Sequence, residues 1–125
     1  MRRAAVLVFA AVVLVAFAVF AVTFHRNPTP PTSAVHVSII PEAESYATGY
    51  NPDNITVVIG VNNTVIWTNN DNEAHTVTAL DGSFDSGNMN PGDTYTYTFT
   101  KPGTYTYTCT YHPWMHGYVT VIQPS

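Results

Sequence analysis

The chain has little cysteine and little positive charge. Cys109 is its one cysteine, which excludes a disulfide within the chain and leaves stability to a packed core. Lysine and arginine together number four, and charged residues make up 10% of the 125 residues. Arg2, Arg3 and Arg26 account for three of those cations, so beyond residue 26 Lys101 stands alone against all eight acids. A surface so short of positive charge repels nucleic acid and anionic headgroups, which excludes both as ligands of the domain and favours a basic protein partner. The length leaves room for one small domain and an appendage, so a multidomain enzyme is excluded as well.

What is present first is an uncharged apolar run at residues 4–24, from Ala4 to Phe24. At a rise of about 1.5 Å per residue it makes a helix roughly 31 Å long, close to the roughly 30 Å hydrocarbon thickness of a bilayer. One N-terminal transmembrane helix is therefore expected. Arg2 and Arg3 before it predict that the N-terminus stays in the cytoplasm and the rest is exported. A cleaved leader is the rival reading, but its apolar stretch is normally shorter than this one. Both place the domain on the extracytoplasmic side, periplasmic or extracellular. Residues 25–34 (HRNPTPPTSA) are proline-rich and aperiodic, the signature of an extended linker. The remaining division, residues 35–125, is one domain.

In that domain short segments rich in Val, Ile, Thr, Tyr and Trp are broken by Gly, Pro, Asn or Asp. The pattern is all-β. Strands are expected at Val35–Ile40, Ile55–Ile59, Thr64–Asn69, His75–Ala79, Thr94–Thr100, Thr104–Cys109 and Gly117–Ile122, which together suggest a two-sheet sandwich. The alternating runs Thr94–Thr100 and Thr104–Cys109, joined by Lys101-Pro102-Gly103, read as a hairpin. Alternation places Tyr105, Tyr107 and Cys109 on one face, expected to be the inner one. Asn54-Ile55-Thr56 and Asn62-Asn63-Thr64 match the glycosylation acceptor pattern, which is common by chance.

The chemistry gathers just after the last tyrosine of this alternation. Cys109-Thr-Tyr-His112-Pro-Trp-Met115 packs a thiol, an imidazole and a thioether into seven residues. Soft sulfur donors beside imidazole favour copper, and a trigonal copper site needs a second imidazole from elsewhere. His75, opening a strand after a polar turn, is the candidate. Zinc in a closed structural site would require a fourth strong donor. A binuclear copper centre would need paired cysteines. His25 and His36 are far in sequence from these residues.

From Asn54 to Ile122 the chain resembles the cupredoxins, in the plastocyanin and azurin group. The resemblance is carried by Trp67-x-Asn69 before His75, by Gly82-x-Phe84-Asp-Ser-Gly87, by Pro91-Gly92, and by Lys101-Pro-Gly-Thr-Tyr-x-Tyr107-x-Cys109. The short ligand loop Cys109-x-x-His112-x-x-Met115 is similar to that of amicyanin. The resemblance implies a Greek-key β-sandwich with one type 1 copper, held equatorially by His75, Cys109 and His112 and axially by Met115. It further implies that Thr76 ties the two ligand-bearing segments together near Thr110, with Asn69 also behind the ligands.

Three strong donors and one weak one leave no open position for a substrate, so the expectation is single-electron transfer between redox proteins, with no catalysis and no small-molecule substrate. Pro113, Trp114 and Met89, with His116 at the rim, are expected to form an apolar collar around His112 for transient docking. A copper-delivery protein and a metal-free surface module are the two other readings.

Overall fold

In the computed structural model the described residues are 33–125. The anchor expected at residues 4–24 and most of the 25–34 linker lie outside them. Among the described residues no helix is long and apolar enough to cross a membrane.

The elements in order are β1 (Val35–Ile39), a 3-10 turn (Ala43–Ser45), β2 (Tyr50–Asn51), β3 (Asn54–Val58), β4 (Thr64–Asn69), β5 (Thr78–Ala79), β6 (Thr94–Thr98), β7 (Gly103–Cys109) and β8 (His112–Ile122). They form two four-stranded sheets, ordered β2-β1-β4-β6 and β3-β8-β7-β5. β1 runs parallel to β4 and β3 parallel to β8; the other pairs are antiparallel. The all-β two-layer sandwich expected from the sequence is the architecture observed.

β3, β4 and most of β8 bury every second residue, as a half-buried strand must. Val65, Trp67 and Asn69 of β4 face inward, as do Ile55 and Val57 of β3 and Met115, Val119 and Val121 of β8. The core is strongly aromatic. Trp67 meets Tyr107 edge to face with ring centroids 5.5 Å apart, and Tyr107 meets Tyr50 the same way at 4.8 Å. Such pairs contribute about 0.5–1.5 kcal/mol each beyond the area they bury. Tyr107 and Cys109 are inside and Tyr105 packs against the core, as alternation requires.

The expected hairpin between Thr94–Thr100 and Thr104–Cys109 does not form. β6 pairs with β4 in one sheet, whereas β7 pairs with β8 and β5 in the other. The crossing is built by Phe99, whose N–H donates to Asn63 O (2.8 Å) and whose carbonyl accepts Asn63 Nδ2 (2.7 Å). These bonds hold the end of the run to the turn before β4. Lys101-Pro102-Gly103 then carries the chain between layers, with Gly103 at φ 148°, a region L-residues rarely adopt. The aromatics of both runs still meet: the Phe99 ring lies 5.1 Å from that of Tyr105.

The strand expected at His75–Ala79 shrinks to Thr78–Ala79. At its start, polar groups are drawn to other partners: Val77 N–H donates to Ser86 Oγ (2.8 Å) and Thr76 N–H turns toward Cys109.

Candidate metal centre

Three of the expected ligands come from one hairpin. Thr110 and Tyr111 are the whole connection between β7 and β8, and Cys109 pairs with His112 across it after a register shift at Thr108/Cys109. Irregularities of this kind re-aim side chains at the end of a ladder. Cys109 and Met115 are fully buried and His112 is half-buried. Thr108 Oγ1 stiffens the loop by donating to the carbonyl of Met115 at 2.6 Å, with the Pro113 carbonyl at 3.2 Å.

His75 arrives from the other side, at the end of a polar loop that Asn69 organises. Asn69 Nδ2 donates to the carbonyls of Glu73 (2.8 Å) and Met89 (3.0 Å), while its Oδ1 accepts the Asp71 N–H (3.0 Å). His75 then exchanges backbone hydrogen bonds with Met89, at 3.1 and 2.8 Å. Its ring is buried, and Nε2 lies 2.7 Å from Asp71 Oδ2, also buried. A carboxylate accepts, so Nε2 carries the proton and the lone pair of Nδ1 is free.

Burial alone would raise the Asp71 carboxyl. The hydrogen bonds from His75 and from the N–H groups of Glu42 (3.0 Å) and Asn72 (2.8 Å) outweigh it and hold the group down to about 2.

Those two sides meet at the sulfur. Cys109 Sγ lies 3.7 Å from His75 Nδ1 and 3.5 Å from His112 Nδ1, and all three donor atoms fall within 4.8 Å of one another. A metal about 2.0 Å from nitrogen and about 2.3 Å from sulfur, at trigonal angles, would set N and S about 3.7 Å apart. The spacing fits one metal between them. Met115 completes a group arranged as a type 1 copper site.

Around this group Thr76 is the strut. Its N–H points at Cys109 Sγ (3.4 Å) and its Oγ1 accepts the Thr110 N–H (2.9 Å). Tyr50 on β2 donates its hydroxyl to the Thr76 carbonyl at 2.6 Å. Burial, reinforced by Cys109 and Tyr107 nearby, pushes the Tyr50 phenol far up, so it stays a neutral donor.

Pro113 and Trp114 lie exposed beside His112, and the indole ring sits 5.4 Å from the imidazole. Trp114 is anchored by Nε1 donating to the Glu44 carbonyl at 2.6 Å. His116 is half-buried against Tyr118, with ring centroids 5.7 Å apart. Met89 departs from the expected collar. Its backbone pairing with His75 sets it in the core, and only 2% of its surface is exposed. Tyr111 takes a place at the surface instead, half-exposed and donating to Asn88 Oδ1 at 2.9 Å.

Sequence reasoning also missed Asp71 and Tyr50. Asp71 carries one signal, its position four residues before His75 in a polar loop. Tyr50 sits in a two-residue strand with no periodicity to mark it.

A two-layer β-sandwich whose buried thiol, two imidazoles and thioether converge on one point defines a mononuclear copper protein of type 1. Residues 10–121 match the cupredoxin-like domain, and the chain belongs to that family. A purple cupredoxin from Nitrosopumilus maritimus is 32% identical, with a TM-score of 0.63 over 70% of this chain and 99% of that one. An amicyanin variant in its Cu(I) form is 31% identical, with a TM-score of 0.58 over 71% of this chain and 82% of that one. A copper-containing nitrite reductase from Thermus scotoductus is 27% identical, with a TM-score of 0.61 over 74% of this chain. The match spans 23% of the reductase's length.

Proposed function

We propose that the protein is a membrane-anchored blue copper carrier that passes single electrons between redox proteins outside the cytoplasm. The observation that carries this reading is the convergence of His75, Cys109 and His112 within 4.8 Å, with Met115 buried alongside. Bound there, copper supplies a one-electron couple. The protein's part is to hold the donors in one arrangement that suits both valences, and the struts at Thr76, Asn69 and Thr108 serve that rigidity.

His112 is the half-buried ligand, so its ring edge is the natural electron exit. Pro113 and Trp114 flank it with apolar surface suited to brief contacts. The acidic domain, with Lys101 as its one lysine or arginine, would steer a basic partner toward that edge. Residues 4–24 would tether the domain to the membrane and 25–34 would space it from the surface. Donors that fill the coordination sphere leave no position at which a substrate would react, which argues against catalysis.

The test is a visible and EPR titration of the full chain with Cu(II), beside Cys109→Ser. An intense stoichiometric thiolate-to-copper band that disappears in the variant supports the reading. A colourless wild-type protein overturns it in favour of a metal-free module. Rapid loss of the band to a mild chelator would point to copper delivery.

A further inference from the structure

Nothing in the ligand set itself explains the carboxylate behind His75. A ligand histidine needs its second nitrogen fixed, and a neutral carbonyl would do that. Here the acceptor is a buried acid, 2.7 Å from Nε2, with 0% and 1% of the two side chains exposed. Asp71 Oδ1 is pinned by two backbone N–H groups, so its Oδ2 is aimed at the ring and cannot turn away. Glu44 stands close: a carboxylate oxygen of its own falls within 4.8 Å of the donor atoms of Asp71 and His75, and its Oε2 is buried without a hydrogen-bond partner.

We propose that Asp71 is a positioning residue that lowers the reduction potential of the centre by acting through His75. The inference rests on the type 1 copper reading above. A full negative charge facing the N–H of the far nitrogen makes the imidazole a stronger donor at Nδ1, and a stronger donor favours Cu(II) over Cu(I). Burial strengthens the effect, because a charge this close to the ring is poorly screened where water is excluded. The Thr76 N–H directed at Cys109 Sγ acts in the opposite sense by drawing density from the sulfur, so the two contacts oppose each other across the metal position.

The test is potentiometry of the copper-loaded full chain, wild type beside Asp71→Asn, with Asp81→Asn as a control at an exposed turn. Asparagine keeps the shape and removes the charge, and one of the two oxygen positions becomes an NH2 donor, so the variant deletes the carboxylate's charge together with one of its acceptors. The expected result is at least a tenfold loss of Cu(II) preference, which for a one-electron couple is a rise of about 59 mV. The thiolate-to-copper band should persist and Asp81→Asn should leave the potential unmoved.

An unmoved potential in Asp71→Asn with the band intact overturns the inference and leaves the copper reading standing, as does an equal shift in Asp81→Asn. A wild-type chain without the band overturns both. Should Asp71→Asn fail to load copper, proton NMR of the reduced wild-type chain decides. A slowly exchanging, strongly downfield His75 Nε2–H supports the inference, and a freely exchanging one refutes it.

Discussion

Thr110 donates its backbone N–H to Oγ1 of Thr76 across 2.9 Å, joining the hairpin that carries Cys109 to the segment that carries His75. The two residues are distant in sequence, and this bond fixes the separation of the thiol from the imidazole more directly than either sheet does.

Replacing Thr76 with valine keeps the shape and removes the acceptor. Loss of the bond to the part-buried Thr110 N–H is expected to cost about 0.5–1.5 kcal/mol of folding stability. Urea unfolding of the copper-free chain measures it, and a loss below a few tenths would show that the strut adds nothing to stability.

Gly49 marks where Met115 has no spare room. A Cβ there would lie 2.8 Å from Met115 Cε and 2.6 Å from the Ala43 carbonyl oxygen. Gly49→Ala is therefore expected to destabilise the fold by about 1–3 kcal/mol and to displace the thioether. A lower Tm together with altered EPR hyperfine splitting is the outcome to look for. A lower Tm with an unchanged spectrum would mean that the backbone gives way and the ligand stays.

Asp71 predicts an acid limb in the stability of the copper-free protein. Its folded pKa, about 2, lies below the ordinary 3.8, so its contribution is present above the ordinary value and is lost as pH falls toward the folded one. The stability difference between wild type and Asp71→Asn should shrink between about pH 4 and about pH 2. A constant difference across that window would contradict the assignment.

Trp114 tests the docking edge without removing a ligand. It is 51% exposed, so Trp114→Ala should leave the spectrum intact. Loss of an exposed aromatic anchor typically costs more than about 1 kcal/mol in a contact, which predicts a roughly tenfold slower electron self-exchange by NMR line broadening. An unchanged rate would place the electron exit elsewhere.

How much of this was legible in the sequence varied with the range of the interaction. β4 coincides with its expected bounds, because Val65, Trp67 and Asn69 alternate inward without interruption. The hairpin ligands were legible because Cys109, His112 and Met115 are close neighbours along the chain. Alternation in the Thr-Tyr runs identifies the inner faces but says nothing about which edge pairs with which, so it points to one hairpin where Asn63 sends β6 and β7 to different sheets. Asp71 behind His75, Tyr50 beneath Thr76 and the inward turn of Met89 all depend on backbone bonds between segments distant in sequence, for which local pattern carries no signal.

β8, the strand that starts at His112 and carries Met115, is also the one that lies between β3 and β7 at the interior of its sheet. The domain therefore cannot close that sheet until the last of its strands has slotted into place, and the same event delivers two of the four ligands. An incomplete chain would offer His75 and Cys109 at most. A domain in which β8 has not docked therefore lacks half of the nest, and metal capture waits on that one strand.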